Sequence, residues 1–504
     1  MSMIAPRRVP RLAGSGEFGF VHGLRAIVVK RFSSFASLLL RISGCALMAP
    51  LLAGCIPTAQ APDLDLDVPT TYRASGSPSP KNLPGADWWT NFHSAELSRF
   101  MRETETGNFD IAAAVARIIE ADAAARVTGS ALLPSLTGNA SVTHNQSPSF
   151  SSVGGGTPRT LYVASLNASY IVDFWGKNRA ALQAAEETAF FRRWDHDTVA
   201  LTALSSTGTT YLAVLGARER IGYANEDLQA ATRILTLIRD RVKFGTANSL
   251  NEAQQVALVE NLRASIPPLQ QIADQNIAAL GVLIGRAPER ISVAANSLQK
   301  IAVPRIAAGL PSQLLVERPD VQAAEAQLAA AHADLVSARA AFFPQIQLTG
   351  QGGFESLALQ SFFSPGSGLY SVAAGLTQPI FDAGLLQANF DQTKGTQDEL
   401  LADYRKAVIT AFSDVEKALV AMRDLAKEEA TLRLSLDASR RAFNLAEDQL
   451  RAGTIDYVTV LQTQQTLFST LDTLSQVRLA HLQAAVTLYQ ALGGAWQGRT
   501  GSGT

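Results

Sequence analysis

The chain is short of cysteine, aromatics, charge and long apolar runs, and each shortage removes a class of protein. Only Cys45 and Cys55 occur in 504 residues. Cys45 would leave with an N-terminal signal peptide, so no disulfide or Cys-based metal site is possible within one mature chain. The six histidines (His22, His93, His144, His196, His332 and His481) are scattered, and none pairs at i,i+4 or sits beside a cysteine. Gly154-Gly155-Gly156 lacks the Lys-Ser/Thr of a phosphate loop, and no Gly-x-Ser-x-Gly elbow is present. No catalytic constellation emerges and no cofactor is expected, so the residues do not describe an enzyme. No basic stripe is present, which argues against a nucleic-acid partner. After residue 55 there are no eighteen consecutive apolar residues, so no transmembrane helix is expected. Aromatics make up 7% and charged residues 17%, while alanine is abundant, a composition that suits helices packed closely through small side chains.

The formal charge of −1 hides an asymmetry. Residues 1–54 hold seven of the 43 basic groups and one of the 44 acidic ones, leaving 36 against 43 in the body. Those basic residues precede a short apolar run, Cys45 to Gly54, which meets Cys55. A basic region, a short apolar region and small residues before a cut make a secretory signal peptide. Leu52-Ala53-Gly54-Cys55 resembles a bacterial lipobox, which implies cleavage before Cys55 and acylation of its thiol. Ile42-Ser43-Gly44-Cys45 fits less well, because Arg41 breaks the apolar run before it. By the sorting pattern of such lipoproteins, Ile56 in place of Asp implies the outer membrane. Residues 55–86, rich in Pro, Ser, Asp and Thr, read as an extended lipidated tether. Folded structure begins at Asp87-Trp88-Trp89 and Phe92.

The dominant pattern is a long helix, Val408 to Leu450. Val415, Met422, Leu436, Phe443 and Leu450 fall at one heptad position, and Ala411, Ala418, Leu425, Leu432 and Ala446 at the other. Spacings of three and four sustained this long signal a coiled coil. Only Glu429 and Ser439 spoil the seam. The pattern recurs 208 residues earlier, at Val214, Ile221, Leu228, Leu235 and Val242 with Ala217, Ala224, Ala231 and Ile238, and the terminal Gly453-Thr454 recurs as Gly245-Thr246. Shorter helices repeat with an offset of 210: Ile111, Ala114, Ile118, Ala121, Ala125 and Thr128 match Val321, Ala324, Leu328, Ala331, Leu335 and Ala338. The chain is internally duplicated.

After Pro134 and Pro344 the apolar period falls to two. Leu136, Gly138, Ala140 and Val142 alternate with polar residues, as do Ile346, Leu348 and Gly350; each strand leads through a Gly/Ser/Pro loop to a second alternating strand. Strands of about ten residues with one apolar and one polar face are the wall pattern of a transmembrane β-barrel. Four strands cannot close a barrel, because unpaired edges in lipid are intolerable; twelve from a trimer can.

The expected organisation is a signal peptide at 1–54, a tether at 55–86, a first repeat at 87–298 and a second at 299–496, with a tail at 497–504. The first repeat has strands at about 134–146 and 159–174 and a long helical hairpin at 177–285. The second has a connector, a helix at 320–341, strands at about 344–356 and 369–380 and a hairpin at 384–493. Pro267-Pro268 is expected to break the return helix of the first hairpin. The fold class is mainly α with a small transmembrane β part: a long coiled-coil helical barrel plus four strands of a trimeric 12-stranded β-barrel.

The lipobox, Asp87-Trp88-Trp89, Leu133-Pro134, Gly285, Leu310-Pro311, Leu314-Leu315, Arg318-Pro319-Asp320-Val321, Ala340, Phe343-Pro344 and Pro379-Ile380-Phe381-Asp382 follow in that order. This order, with the duplication, resembles the outer-membrane efflux proteins of the TolC/OprM type, in the lipoprotein branch labelled NodT. The likeness spans nearly the whole chain after residue 52. It implies a homotrimer in the outer membrane with its helical part in the periplasm. It also implies docking to a periplasmic adaptor and, through it, to a proton-driven inner-membrane pump of the resistance-nodulation-division class. The hairpin turns then form the periplasmic tip where the adaptor binds, at Gly245, Thr246, Ser249 and Leu250, and at Gly453, Thr454, Asp456 and Tyr457. Asn251 and Gln462 stand where many relatives carry acidic residues, which leaves Asp456 as the candidate channel constriction. Its alternative role is to stabilise a helix start as an N-terminal carboxylate.

The implied activity is passive export of small molecules and drugs from the periplasm to the outside. An exit duct for type I protein secretion is a second reading. A lipid-anchored coiled-coil envelope adaptor is a third, and it requires one hairpin and no lipid-facing strands.

Overall fold

The computed structural model describes residues 58–64, 68–74, 85, 87–146, 158–306, 309 and 311–495. The expected signal peptide, Cys55 and the 497–504 tail lie outside the described residues. The first repeat runs α1 (Ala95–Gly107), α2 (Phe109–Gly129), β1 (Ser135–Asn145), β2 (Arg159–Val172), α3 (Lys177–Lys243) and α4 (Ser249–Leu283). The second runs α5 (Pro311–Glu317), α6 (Pro319–Ala340), β3 (Gln345–Ser356), β4 (Gly368–Thr377), α7 (Leu385–Ala452) and α8 (Tyr457–Ala491). Each repeat is thus a short helix, a β-hairpin and a long helical hairpin. At ~1.5 Å per residue, the 67-residue α3 is ~100 Å long. One 18-residue stretch of α3 is apolar enough by composition to cross a bilayer, but 67% of it is buried inside the protein. It is a core helix.

The heptad seam explains the packing. Val214, Ala217, Ala231, Leu235 and Ile238 of α3 are buried, as are Val415, Ala418, Phe443, Ala446 and Leu450 of α7. At one level the core is aromatic. Trp88 stacks on Tyr489 with ring centroids 4.9 Å apart, and Phe92, Tyr211 and Leu212 complete the cluster. Here the two helical hairpins and the segment before α1 meet. The short helices differ in surroundings: α6 packs against both α3 and α7, whereas α2 packs against α3. Accordingly α6 is buried on several faces, while Phe109, Val115, Ile119 and Val127 of α2 are exposed.

Three features depart from the sequence reading. Pro267 and Pro268 do not break α4, which is helical from Ser249 to Leu283. Two N–H donors are missing there, but buried Val259 on one side and Leu269 and Ala273 on the other hold the helix in place. The tether is not a free spacer where it is described. Gln60 and Leu64 lie along α7, their carbonyls accepting from Gln397 and Arg405, and Tyr72 is buried against Val415 and Ala418.

Glu429, the residue that spoils the seam, is the third. It is buried, and its carboxylate accepts from Arg433 (2.5 Å), Arg478 (2.7 Å) and His481 (2.7 Å). Arg478 also donates to the carbonyls of Leu298 and Ile301 in the connector. From the other side Glu219 of α3 accepts from Leu298 N (2.7 Å) and Ser297 Oγ (2.5 Å). The connector is clamped between the two hairpins by a carboxylate and a guanidinium.

The hydrogen bonds from His481, Arg433 and Arg478 outweigh burial and hold the Glu429 carboxyl at about 2, below its usual 4.5. Glu429→Gln leaves Arg478 buried without its counter-charge and should destabilise the protein by about 3 kcal/mol at neutral pH, measured by denaturant unfolding of the detergent-solubilised protein. Because the native value is depressed, the difference from the parent should be full above pH 4.5 and shrink as the pH falls through about 2.

Candidate functional site: a two-faced sheet and paired hairpin tips

The four strands form one antiparallel sheet in the order β1-β2-β3-β4. Side chains directly opposite one another share a face, and the register sorts them. Leu136 pairs with Ala168, Ala140 with Ala164 and Val142 with Tyr162; Tyr170 pairs with Leu348 and Val172 with Ile346; Ile346 pairs with Leu376 and Gly350 with Val372. The other face matches Thr137 with Asn167, Asn139 with Ser165, Asn167 with Gln351 and Gln351 with Ser371. A one-residue slip anywhere would mix the faces. On the apolar face Leu136 is 70% and Val372 86% exposed, far beyond what a soluble sheet leaves open. β1 and β4 are the edges, and each has one unpaired side.

Both exits from the sheet use one device. Asp173 accepts from the backbone N–H groups of Asn178 and Arg179 where β2 passes into α3. Asp382 accepts from those of Gly384 and Leu386 where β4 passes into α7. Gly176 and Gly384 have φ of 79° and 89°, the left-handed conformation each sharp turn requires. Trp175 donates its indole N–H to the Pro344 carbonyl and stacks on Phe343, pinning the end of β2 to the start of β3.

At the opposite end of the long helices the two tips match. Gly245 (φ 71°) and Gly453 (φ 74°) end α3 and α7. Thr246 N–H donates to Arg241 O, and Thr454 N–H to Gln449 O, the six-to-one bond of a Schellman motif. Asn248 then caps α4 through Asn251 N, and Asp456 caps α8 through Thr459 N (2.8 Å) and Thr459 Oγ1 (2.6 Å). Those bonds, the Thr459 hydroxyl foremost, lower the Asp456 pKa. Gly245, Thr246, Ser249, Leu250, Gly453, Thr454 and Asp456 are exposed. Tyr457 is buried instead; its hydroxyl donates to Gln255 Oε1 (2.9 Å), while Gln255 Nε2 donates to Ala231 O. It joins the two tips from within and presents no surface in this chain. The Arg241 guanidinium, donating to the Leu450 carbonyl, is a second link between them. These cross-links join residues some two hundred positions apart, and no local pattern announces them.

Two buried polar residues sit in the wall above the tips. Asp227 is pushed up to about 7, first by burial and then by Glu226 and Asp472. The Gln464 amide is fully buried with neither end hydrogen-bonded. Among the described residues no group of three or more His, Cys, Asp or Glu side chains is placed to hold a metal ion.

Residues 101–286 and 310–494 match the family described as outer membrane efflux protein, one stretch per repeat. The chain is 38% identical over 458 residues to the pyoverdine export outer membrane protein OpmQ of Pseudomonas aeruginosa, covering 89% of this chain and 95% of that one. It is 30% identical to the antibiotic efflux pump outer membrane protein ArpC of Pseudomonas putida, covering 90% and 96%. Among solved structures, the outer-membrane channel OprN superposes with a TM-score of 0.83 at 25% identity, covering 88% of this chain and 99% of that one. A duplicated helical hairpin, a sheet with one mainly apolar and one polar face and these matches lead to one conclusion: the chain belongs to the outer membrane efflux protein family, whose members are channels of the outer membrane and not enzymes.

Proposed function

We propose that this protein is the passive outer-membrane duct of a tripartite efflux pump, closed by three copies and exporting small molecules. The observation that carries the reading is the sheet. Its apolar face suits hydrocarbon and its polar face a water-filled lumen, yet both edges are open. The edges find partners if β4 of one copy pairs with β1 of the next, just as β2 pairs with β3 inside the chain. The helices support the same closure. α6 lies between α3 and α7, so its repeat-mate α2 lacks only an α7 from a neighbouring copy. The apolar residues α2 exposes, and Ile409 on α7, fit that contact.

The exposed tip residues Gly245, Thr246, Ser249, Leu250, Gly453 and Thr454 suit docking to a periplasmic adaptor, which connects the duct to an inner-membrane proton-driven pump. Cys55 carries the lipid in this reading. The described tether approaches the sheet end of α7 as residue numbers fall, with Gln60 at Gln397, twelve residues or ~18 Å from the start of the helix. The five residues from Gln60 to Cys55 span up to ~17 Å when extended. Two hairpins and a two-faced sheet oppose the envelope-adaptor alternative. The names of the relatives favour small molecules over secreted protein.

The direct test is accumulation of a fluorescent dye in cells lacking this protein, with the inner-membrane pump intact and other outer-membrane channels deleted. Accumulation should rise several-fold and return to the parental level on restoring the gene; no change would count against efflux. Asp456→Asn tests the constriction. Asn248 makes the equivalent cap in the first repeat, so the helix start should persist while the charge is lost. Single-channel recordings in bilayers should show reduced cation preference and weaker block by multivalent cations. Unchanged conductance would leave Asp456 as a cap alone.

A further inference from the structure

The turn between β3 and β4, residues 357–367, lies at the end of the sheet away from the helices. A loop there has two places to go: across the lumen, or outward over the membrane. Three observations decide the direction. First, the loop packs on the apolar face. Phe354 lies in the apolar row, opposite Ala164, and its ring contacts Phe363 (5.4 Å) and Phe362 (6.1 Å), which contact each other at 5.0 Å. Phe362 is buried at the centre of this cluster, whereas Phe363 is 79% exposed, and Leu357, Leu359 and Tyr370 are exposed around it.

Second, the loop binds its own polar groups. Ser367 Oγ donates to Phe362 O (2.5 Å), Ser356 Oγ donates to Ala358 O (2.9 Å) and bonds Ser361 Oγ (2.8 Å), and Glu355 N donates to Ser367 O (2.8 Å). Backbone N–H groups of Ser361, Phe362, Ser364 and Ser367 also donate within the loop. A loop bathed in water needs no such internal satisfaction, but one lying against hydrocarbon does. Third, no charged residue occurs between Glu355 and Asp382.

We infer that the β3–β4 loop is a lipid-binding foot that lies outward on the apolar face, with Leu357, Leu359 and Phe363 seated among the acyl chains of the outer leaflet. The inference rests on the apolar face being the lipid side. The occupant follows from continuity: the foot extends that face through Phe354, and Ser356, the next residue in that row, spends its hydroxyl on Ala358 O and Ser361 Oγ within the loop. Three such feet would set the depth of the barrel and leave the lumen mouth uncovered by this loop.

The test is nitroxide accessibility in the full-length protein reconstituted into phospholipid vesicles. A label at Phe363→Cys is compared with labels at Val372→Cys, on the apolar sheet face, and Thr349→Cys, on the polar face. Molecular oxygen partitions into hydrocarbon and a neutral nickel chelate into water. The foot predicts that position 363 behaves as 372 does, with oxygen collisions exceeding nickel collisions several-fold. Nickel-dominated exposure like that at 349 would overturn it, as would dipolar broadening from labels converging over the lumen. Should Phe363→Cys not assemble, Leu359→Cys gives the same reading. If 372 itself reads as aqueous, the lipid-side assignment of the sheet fails and the foot fails with it. If 372 reads as lipid and 363 as water, the foot alone fails.

Discussion

Backbone N–H and C=O groups cannot face hydrocarbon without partners, and this constraint governs more of the protein than its small sheet. β1 and β4 each carry a row of such groups on an open side. The chain already contains the solution to one such junction. β2, the last strand of the first repeat, pairs with β3, the first of the second, in a register that sets Ala164, Ala168, Tyr170 and Val172 opposite Phe354, Gly350, Leu348 and Ile346. Applying that junction again between copies satisfies every edge. The duplication therefore supplies a pairing rule that can be repeated until the sheet closes.

The helices inherit the rule. Each strand pair leaves the sheet through an aspartate-capped left-handed turn, so the direction of α3 and α7 is set where they begin. Small seam residues then let them run side by side over their length, and ~100 Å of helix puts the tips far from the membrane. At mid-length the aromatic cluster around Trp88 and Tyr489, and the Glu429–Arg478 clamp on the connector, tie the two hairpins together. Towards the tips a second apolar cluster joins the hairpins, with Ile234 and Ile238 of α3 packed among Phe443, Leu450, Tyr457 and Val460, and Tyr457 with Gln255 and Arg241 with Leu450 add polar links.

Much of this was legible in the sequence because it is periodic. The seam of α7 and its image in α3, the change of period after Pro134 and Pro344, and the glycines at 245 and 453 each follow from local geometry. What was not legible depends on residues distant in the chain. Glu429 reads as a defect until Arg478 and His481, on the next helix, supply its partners. Tyr457 reads as a tip residue until Gln255 of the other repeat is seen to accept its hydrogen bond. Pro267-Pro268 reads as a break, yet packing on both sides of it carries α4 through. The aromatic foot reads as a Gly/Ser/Pro loop, since composition does not show Phe362 folding onto Phe354.

If β4 of one copy pairs with β1 of the next and three copies close the wall, side chains on those two edges must come within disulfide reach. Disulfide scanning tests this most directly. Single cysteines are placed in turn along the polar face, at Ser371 or Ala373 of β4 and at Thr137 or Asn139 of β1, and the doubly substituted protein is oxidised in outer-membrane vesicles. Pairs in register should give a covalent ladder on a non-reducing gel that ends at three chains. A ladder ending at two, one continuing past three, or only cross-links within a single chain would contradict it.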